Sequence, residues 1–286
     1  MKINPILAKD LKVMSRSMRY SWILFGYETV LGVIFLFALL IGNSVSSYSD
    51  HSNIEIYKSY VYFFPIIGSV QMGIIAFLVP ILTASSISGE KEKQTYDVLL
   101  TTTISPLNIV LGKLGTAIFR VMLLIFASVP LMALSFIVGG LSWFYLLVYM
   151  FLALAFSINL GSIGIFCSSV CRKSITSIIL SYVIFYGINT VSTVPIMFST
   201  LINRGDPAMA SLFSELVNPT FVFVLFFVSC MSSENFLELF DTASSGNIPD
   251  FMYSPVVWIV GAIIVQLLIA ALFVFFTTLR LKPSRK

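Results

Sequence analysis

The chain has 286 residues, of which 58% are hydrophobic and only 10% charged, with a formal net charge of +4. A water-soluble domain carries about 25% charged residues, so this sequence cannot cover a water-facing surface and its solvent is largely lipid. A soluble enzyme or a nucleic-acid-binding module is excluded. An all-α polytopic membrane protein is expected, with residues 1–286 forming a single transmembrane domain.

Residues 1–20 open with Asn4-Pro5, which places Pro at a first helical position. Ile6, Leu7, Leu11, Met14 and Met18 recur near helical spacing, while Lys9, Lys12, Arg16 and Arg19 lie off that stripe. This predicts a basic amphipathic helix in the headgroup layer. No short apolar stretch with a small-residue cleavage site follows, so a cleavable signal peptide is not expected. The first span runs from Ser21 to Gly42, about 33 Å as a helix and enough to cross a bilayer core. A polar loop over 43–59 follows. The second span runs from Tyr60 to Ser86, with Pro65 and Pro80 kinking it or lying near its ends. The third covers Val110 to Val138 and closes at Gly139-Gly140. The fourth starts at Trp143, an interfacial residue type, and ends at Val170. Arg172-Lys173 make a short connection to the fifth span, Ser174 to Phe198, and the sixth is Pro255 to Leu279.

Residues 199–254 carry Asp206, Glu215, Glu234, Glu238, Asp241 and Asp250 against the single basic residue Arg204. Their apolar run, Thr220 to Met231, is too short to span and reads as re-entrant or interfacial. Orientation follows from Lys and Arg. With both ends inside, residues 1–20, 88–113, 171–173 and 280–286 are cytoplasmic. Of the 17 Lys and Arg residues, only Lys58 and Arg204 then fall outside, with Arg120 somewhat inside the third span. That is a strong positive-inside bias. A seventh crossing over 220–231 would move the basic C-terminus outside. No internal repeat is visible, which argues against an inverted-repeat secondary transporter.

Several chemistries lack their residues. There is no Gly-x-x-x-x-Gly-Lys-Ser/Thr phosphate loop, since Gly112-Lys113 is followed by Leu114 and lacks the upstream Gly. His51 is the only histidine, which removes paired-His metal sites and His-based hydrolysis. Cys167, Cys171 and Cys230 form no disulfide or metal pattern. Cys167 and Cys171, four apart, read as small packing residues at a helix end. Asn159, Gly161 and Gly164 are candidates for close helix packing. Glu28 and Arg120 are the two charges at intramembrane depth, where a charge is costly unless paired or hydrated. They read as a structural ion pair between spans one and three, or as a vestibule lined by Glu28.

The long polar stretch, residues 88–113, stands apart. Glu90-Lys91-Glu92-Lys93 reads as a solvated face. Tyr96, Leu99 and Leu100 then stand at i, i+3 and i+4, a small apolar face that tucks against the protein or enters a partner's groove. Ser105-Pro106 supplies an N-cap and a first helical residue. The segment therefore reads as helix, break, helix.

These residues carry a resemblance. Gly89 to Thr102, followed by Ser105-Pro106 and Gly112-Lys113, resembles the loop of permease subunits in the second class of ABC exporters (ABC-2 type, type V fold). Those subunits typically show a Gly-Glu-charged-Glu-charged-Gly-Thr run leading into Leu-Leu-Leu-Thr and Pro. Asn4-Pro5-Ile6 with Lys9-Asp10-Leu11-Lys12 is similar to the family's N-terminal elbow. Ser168-Ser169 with Arg172-Lys173-Ser174 is similar to its short basic loop between spans four and five. Gln94 stands where the family commonly has Gly, and Thr103 where it often has Pro.

The resemblance implies a transport subunit with no ATPase site and no cofactor of its own, ATP and Mg being held by a separate ABC ATPase. It implies pairing with a second permease, of the same or a different chain, in a plasma membrane. Glu90, Thr95, Tyr96, Leu99 and Leu100 become ATPase-docking residues, with Glu90 fixing the loop against the N-terminal elbow. Ser105 and Pro106 become the points where loop motion enters span three. Residues 199–254 become an outer lid of re-entrant helices. Their acidity favours cationic cargo or simply reflects charge sorting. Two other classes compete: a non-transporting scaffold or sensor, and an ion-coupled secondary transporter.

Overall fold

Backbone amides in hydrocarbon have no water to bond, so apolar segments there must satisfy themselves as helices or closed barrels. The computed structural model describes residues 18–48, 62–95, 105–139, 142–202, 209–231 and 255–281, and among these the regular elements are all helical. In chain order they are α1 (Met18–Tyr48), α2 (Phe63–Glu92), α3 (Pro106–Ala127), α4 (Val129–Gly139), α5 (Trp143–Val170), α6 (Ser174–Ile202), α7 (Met209–Ser214), a 3-10 turn (Glu215–Val217), α8 (Phe221–Met231) and α9 (Pro255–Leu281). Six segments are long and apolar enough to cross a membrane: α1, α2, α3 running into α4, α5, α6 and α9. The expected all-helical, six-span architecture is what the chain forms. The N-terminal elbow, His51 and the basic end 282–286 lie outside the described residues.

Helix α5 is the centre. In its apolar window 67% of residues are buried, against 17% for α6 and 22% for α1 and α9. Small residues allow this. A Cβ added at Gly161 would meet Leu114 Cδ1 of α3 at 2.9 Å, and one at Gly164 would meet Thr83 Oγ1 of α2 at 2.0 Å. The side-chain amide of Asn159 donates to the Gln266 carbonyl of α9 at 3.0 Å. Asn159, Gly161 and Gly164 are therefore close-packing positions, as their residue types suggest. Helix α1 lies at the periphery. It buries Tyr27, Leu31, Phe35 and Ala38, one helical stripe, and exposes Trp22, Phe25, Val33 and Phe37.

Three boundaries differ most from the sequence reading, one of them the end of α1, which runs on past Gly42 to Tyr48 into the expected polar loop. The second span does not stop at Ser86; α2 continues through the charge run to Glu92. The third span is interrupted at Ser128, between α3 and α4. Pro130 explains the interruption, because it has no amide for the carbonyl four residues back and its ring crowds that carbonyl. At the break the Ser128 hydroxyl accepts from the Gln71 side-chain amide of α2 and donates to the Ile125 carbonyl, both at 2.8 Å.

The doubtful apolar run is the short helix α8, about 16 Å long by helical rise, too short to cross. It is wedged into the bundle by Val222, Phe223, Leu225, Phe226, Phe227 and Cys230, all buried. Phe64, Tyr149 and Phe227 meet around it, with ring centroids 5.7 Å apart for Phe64–Phe227 and 6.0 Å for Tyr149–Phe227. Gly68 makes room, since a Cβ there would lie 2.6 Å from Phe227 Cζ.

Candidate functional site

The described residues of the stretch 88–113, namely 88–95 and 105–113, lie at one end of the bundle, where α2 ends, α3 begins, α5 turns into α6, and α9 ends. An apolar knot joins them: Ile87, Val110, Leu114, Ile165 and Leu281, from α2, α3, α5 and α9, are all buried together. A polar layer surrounds it. Ser168 of α5 is fully buried, and its hydroxyl oxygen accepts the amides of Ile87 and Ser88 at 2.9 and 2.8 Å.

The charge run corrects its reading as a solvated face, because three consecutive residues each grip a different helix. Glu90 forms an ion pair with Lys113 of α3, and the Lys113 ammonium also donates to the Ser86 carbonyl at 3.1 Å. Lys91 donates to the carbonyls of Ser168, Ser169 and Cys171 at 3.3, 2.5 and 3.3 Å. It thereby caps the C-terminus of α5, where a cation suits both the orphan carbonyls and the helix dipole. Glu92 accepts from the Ser174 hydroxyl at 2.8 Å and the Ser174 amide at 3.3 Å, placing an acid at the N-terminus of α6, again the favoured sign.

Helix α2 then ends in a Schellman motif. The Thr95 amide donates to the Glu90 carbonyl at 2.9 Å and the Gln94 amide to the Lys91 carbonyl at 3.2 Å. The motif requires a left-handed residue just past the helix cap, and that residue is Gln94, with φ of 58°. Gly is the usual residue there, so the one departure from the family pattern at this turn falls on its one strained position. Across the loop, Ser105 caps α3 as its sequence predicts. Its side chain accepts from the Asn108 amide at 3.4 Å, with Pro106 at the start of the helix.

Each proposed site residue can now be placed. Glu90 is half-buried and paired with α3, while Thr95 and Ser105 are exposed on either side of the loop. Tyr96, Leu99 and Leu100 lie outside the described residues. The second Glu90 oxygen is buried with no hydrogen-bond partner among the described residues. Glu28 and Arg120 are not brought together as an ion pair. One Glu28 oxygen is buried without a hydrogen-bond partner among the described residues, and the Arg120 carbonyl accepts from the Tyr20 hydroxyl at 2.6 Å. Cys167 and Cys171 are free thiols at the end of α5, where the Cys171 amide donates to the Cys167 carbonyl at 2.9 Å.

Lys91, Glu92, Ser168 and Ser174 are the positions that sequence reasoning missed as a set. The signal was present in the alternating signs of Glu90-Lys91-Glu92, but their partners lie some 80 residues further on. Among the described residues no group of His, Cys, Asp and Glu is arranged to hold a metal. What the site offers is mechanical: the end of α2 is bonded directly to α3, α5 and α6.

The family model for ABC-2 family transporter proteins matches residues 5–279. No curated protein matches the chain significantly. The match runs through all six spans and the charged end, and the chain therefore belongs to the ABC-2 transporter family, as a membrane subunit of an ABC transporter rather than its ATPase.

Proposed function

We propose that this chain is the permease of an ATP-driven exporter, that the charged end of the bundle faces the cytoplasm, and that residues 96–104 dock a separate ABC ATPase. The observation that carries the reading is the pair of stems flanking those residues. Helix α2 runs rigidly to Glu92 and closes on its Schellman turn, and α3 restarts at the Ser105-Pro106 cap. A short segment between two bonded stems delivers a push rather than absorbing it. Tyr96, Leu99 and Leu100, at helical spacing, form the docking face, with Glu90 and Thr95 holding its approach and Ser105 and Pro106 passing motion to α3.

ATP and Mg belong to the partner. A second permease completes the path, and alternating access follows from ATPase closure. The basic residues Lys91, Lys113, Arg172, Lys173 and Arg280 support the orientation, because they cluster at the ends of α2, α5 and α9 and the starts of α3 and α6. The membrane is a bacterial plasma membrane in this reading. The test is co-expression with the ABC ATPase of the same transporter. The wild-type chain is expected to co-purify with it and the Tyr96→Ala/Leu99→Ala variant to lose it while remaining folded. Undiminished capture by that variant removes the docking claim. Transport driven by a proton gradient without ATP would replace the reading with a secondary transporter.

A further inference from the structure

We propose that Lys91 and Glu92 clamp the turn between α5 and α6, and so carry movement of the docking loop into α6 by a route that bypasses α3. The proposal rests on the reading of the chain as an ATPase-coupled permease. It adds positioning residues that the loop's apolar face and the Ser105-Pro106 cap do not include.

The geometry is specific. The two neighbouring residues hold opposite helix termini. Lys91 spans three carbonyls at the end of α5, and Glu92 takes the hydroxyl and first amide of α6 at Ser174. Only Cys171, Arg172 and Lys173 lie between the two helices. A turn this short, gripped on both sides, has little slack. Displacement of the end of α2 therefore displaces the start of α6. The buried Ser168 hydroxyl, bonded to the amides of Ile87 and Ser88, keeps α2 and α5 in register as they move.

Helix α6 is suited to being moved. Only 17% of its apolar window is buried within this chain, so most of its surface faces lipid or a partner. Its cross-helix bonds lie further along: the Tyr182 hydroxyl to the Phe77 carbonyl at 2.5 Å, the Thr220 hydroxyl to the Asn189 side-chain carbonyl at 2.9 Å, and the Ser214 hydroxyl to the Ser192 carbonyl at 3.0 Å. A helix tied by directional bonds at the clamp, at Tyr182 and just past its middle moves as one lever with the end of α2. Glu90, through Lys113, serves α3 in parallel.

The test uses the complex of permease and ATPase with Cys167, Cys171 and Cys230 replaced by serine. Spin labels at Thr176→Cys on α6 and Phe151→Cys on α5 report α6. Labels at Leu107→Cys on α3 and Phe151→Cys report α3. Distances are taken without nucleotide and with ATP trapped by a hydrolysis-deficient ATPase. The expected result is a shift of both pairs in the otherwise unaltered complex. With Lys91→Met/Glu92→Gln the α6 shift is lost and the α3 shift kept, and Lys91→Arg with Glu92 intact restores the α6 shift. Glu92→Gln alone, at an exposed site, serves if the double variant does not fold, with at least a twofold smaller α6 shift expected. An unchanged α6 shift in these variants, or no α6 shift on ATP in the unaltered complex, overturns the clamp. Failure of the unaltered chain to capture the ATPase is a separate outcome; it overturns the permease reading and the clamp with it.

Discussion

The two ends of the bundle hold the same central helices by different physics. At the charged end α2 is joined to α3, α5 and α6 by charge-assisted bonds from Glu90, Lys91 and Glu92 to defined atoms of those helices. At the opposite end α2 and α5 are joined through α8 by rings: Phe64, Tyr149, Phe223, Phe226 and Phe227. Next to them lies a cavity of about 330 Å³ that includes Gly73, Phe185 and Phe223 in its lining. Directional bonds fail when geometry shifts by an ångström, whereas ring pairs are favourable over centroid separations of about 4.5–7 Å. In the proposed reading the charged end moves as a unit while the aromatic end holds the opposite side of the bundle.

The largest expected effect tests how tightly the charged half is closed. Gly164→Val places carbon where Thr83 already stands, 2.0 Å from its Oγ1, and should cost about 3 kcal/mol by overpacking. Thermal unfolding in detergent would show it, and Thr83→Ala should recover part of the loss. No change would mean that α2 and α5 are not in contact there. At the aromatic end Phe226→Ala should cost roughly 2 kcal/mol, because lipid supplies no hydrophobic drive and only packing is lost. Phe226→Leu should cost less than about 1.5 kcal/mol. Equal, large losses from both would show that end to be as exacting as the other.

Gln94→Gly should stabilise by about 1 kcal/mol, since φ of 58° strains any residue with a Cβ, and Gln94→Val should do the reverse. A destabilising Gln94→Gly would remove the Schellman turn as the end of α2. The smallest effect is a pH dependence outside the spans. Glu215 is buried, with the Asn218 side-chain amide donating to it at 2.8 Å. Burial raises its pKa, and the Asn218 bond offsets only part of that. A raised carboxyl pKa favours the protonated folded state. This contribution is fully present below the ordinary glutamate range and is lost as pH rises through the raised folded value. Glu215→Gln should flatten that slope in a pH series of unfolding midpoints; a slope that survives belongs to another group.

What the sequence revealed was local. The Ser105-Pro106 cap needs only neighbours in the chain, and span four matches its helix from Trp143 to Val170 because an interfacial Trp and an Arg-Lys pair flank it. The six spans and the shortness of α8 follow from length and hydropathy. Pro130 is a local signal too, since the break in span three follows from its missing amide. The end of α2 was not legible. A polar run such as Ser88 to Glu92 reads as loop until its partners at Ser168 to Ser174 are folded against it. The neighbours of Glu28 and Arg120 were not legible for the same reason: depth along a span is readable, but the neighbour at that depth is set by tertiary packing.

The account centres on residues 96–104 meeting an ATPase. A photo-crosslinking amino acid at Tyr96, in membranes containing both subunits, tests it most directly. The account predicts a covalent adduct between this chain and the ATPase from that position, and none from Phe151 on the outer face of α5. Adducts confined to lipid or to this chain's own helices, with the ATPase present, would contradict it.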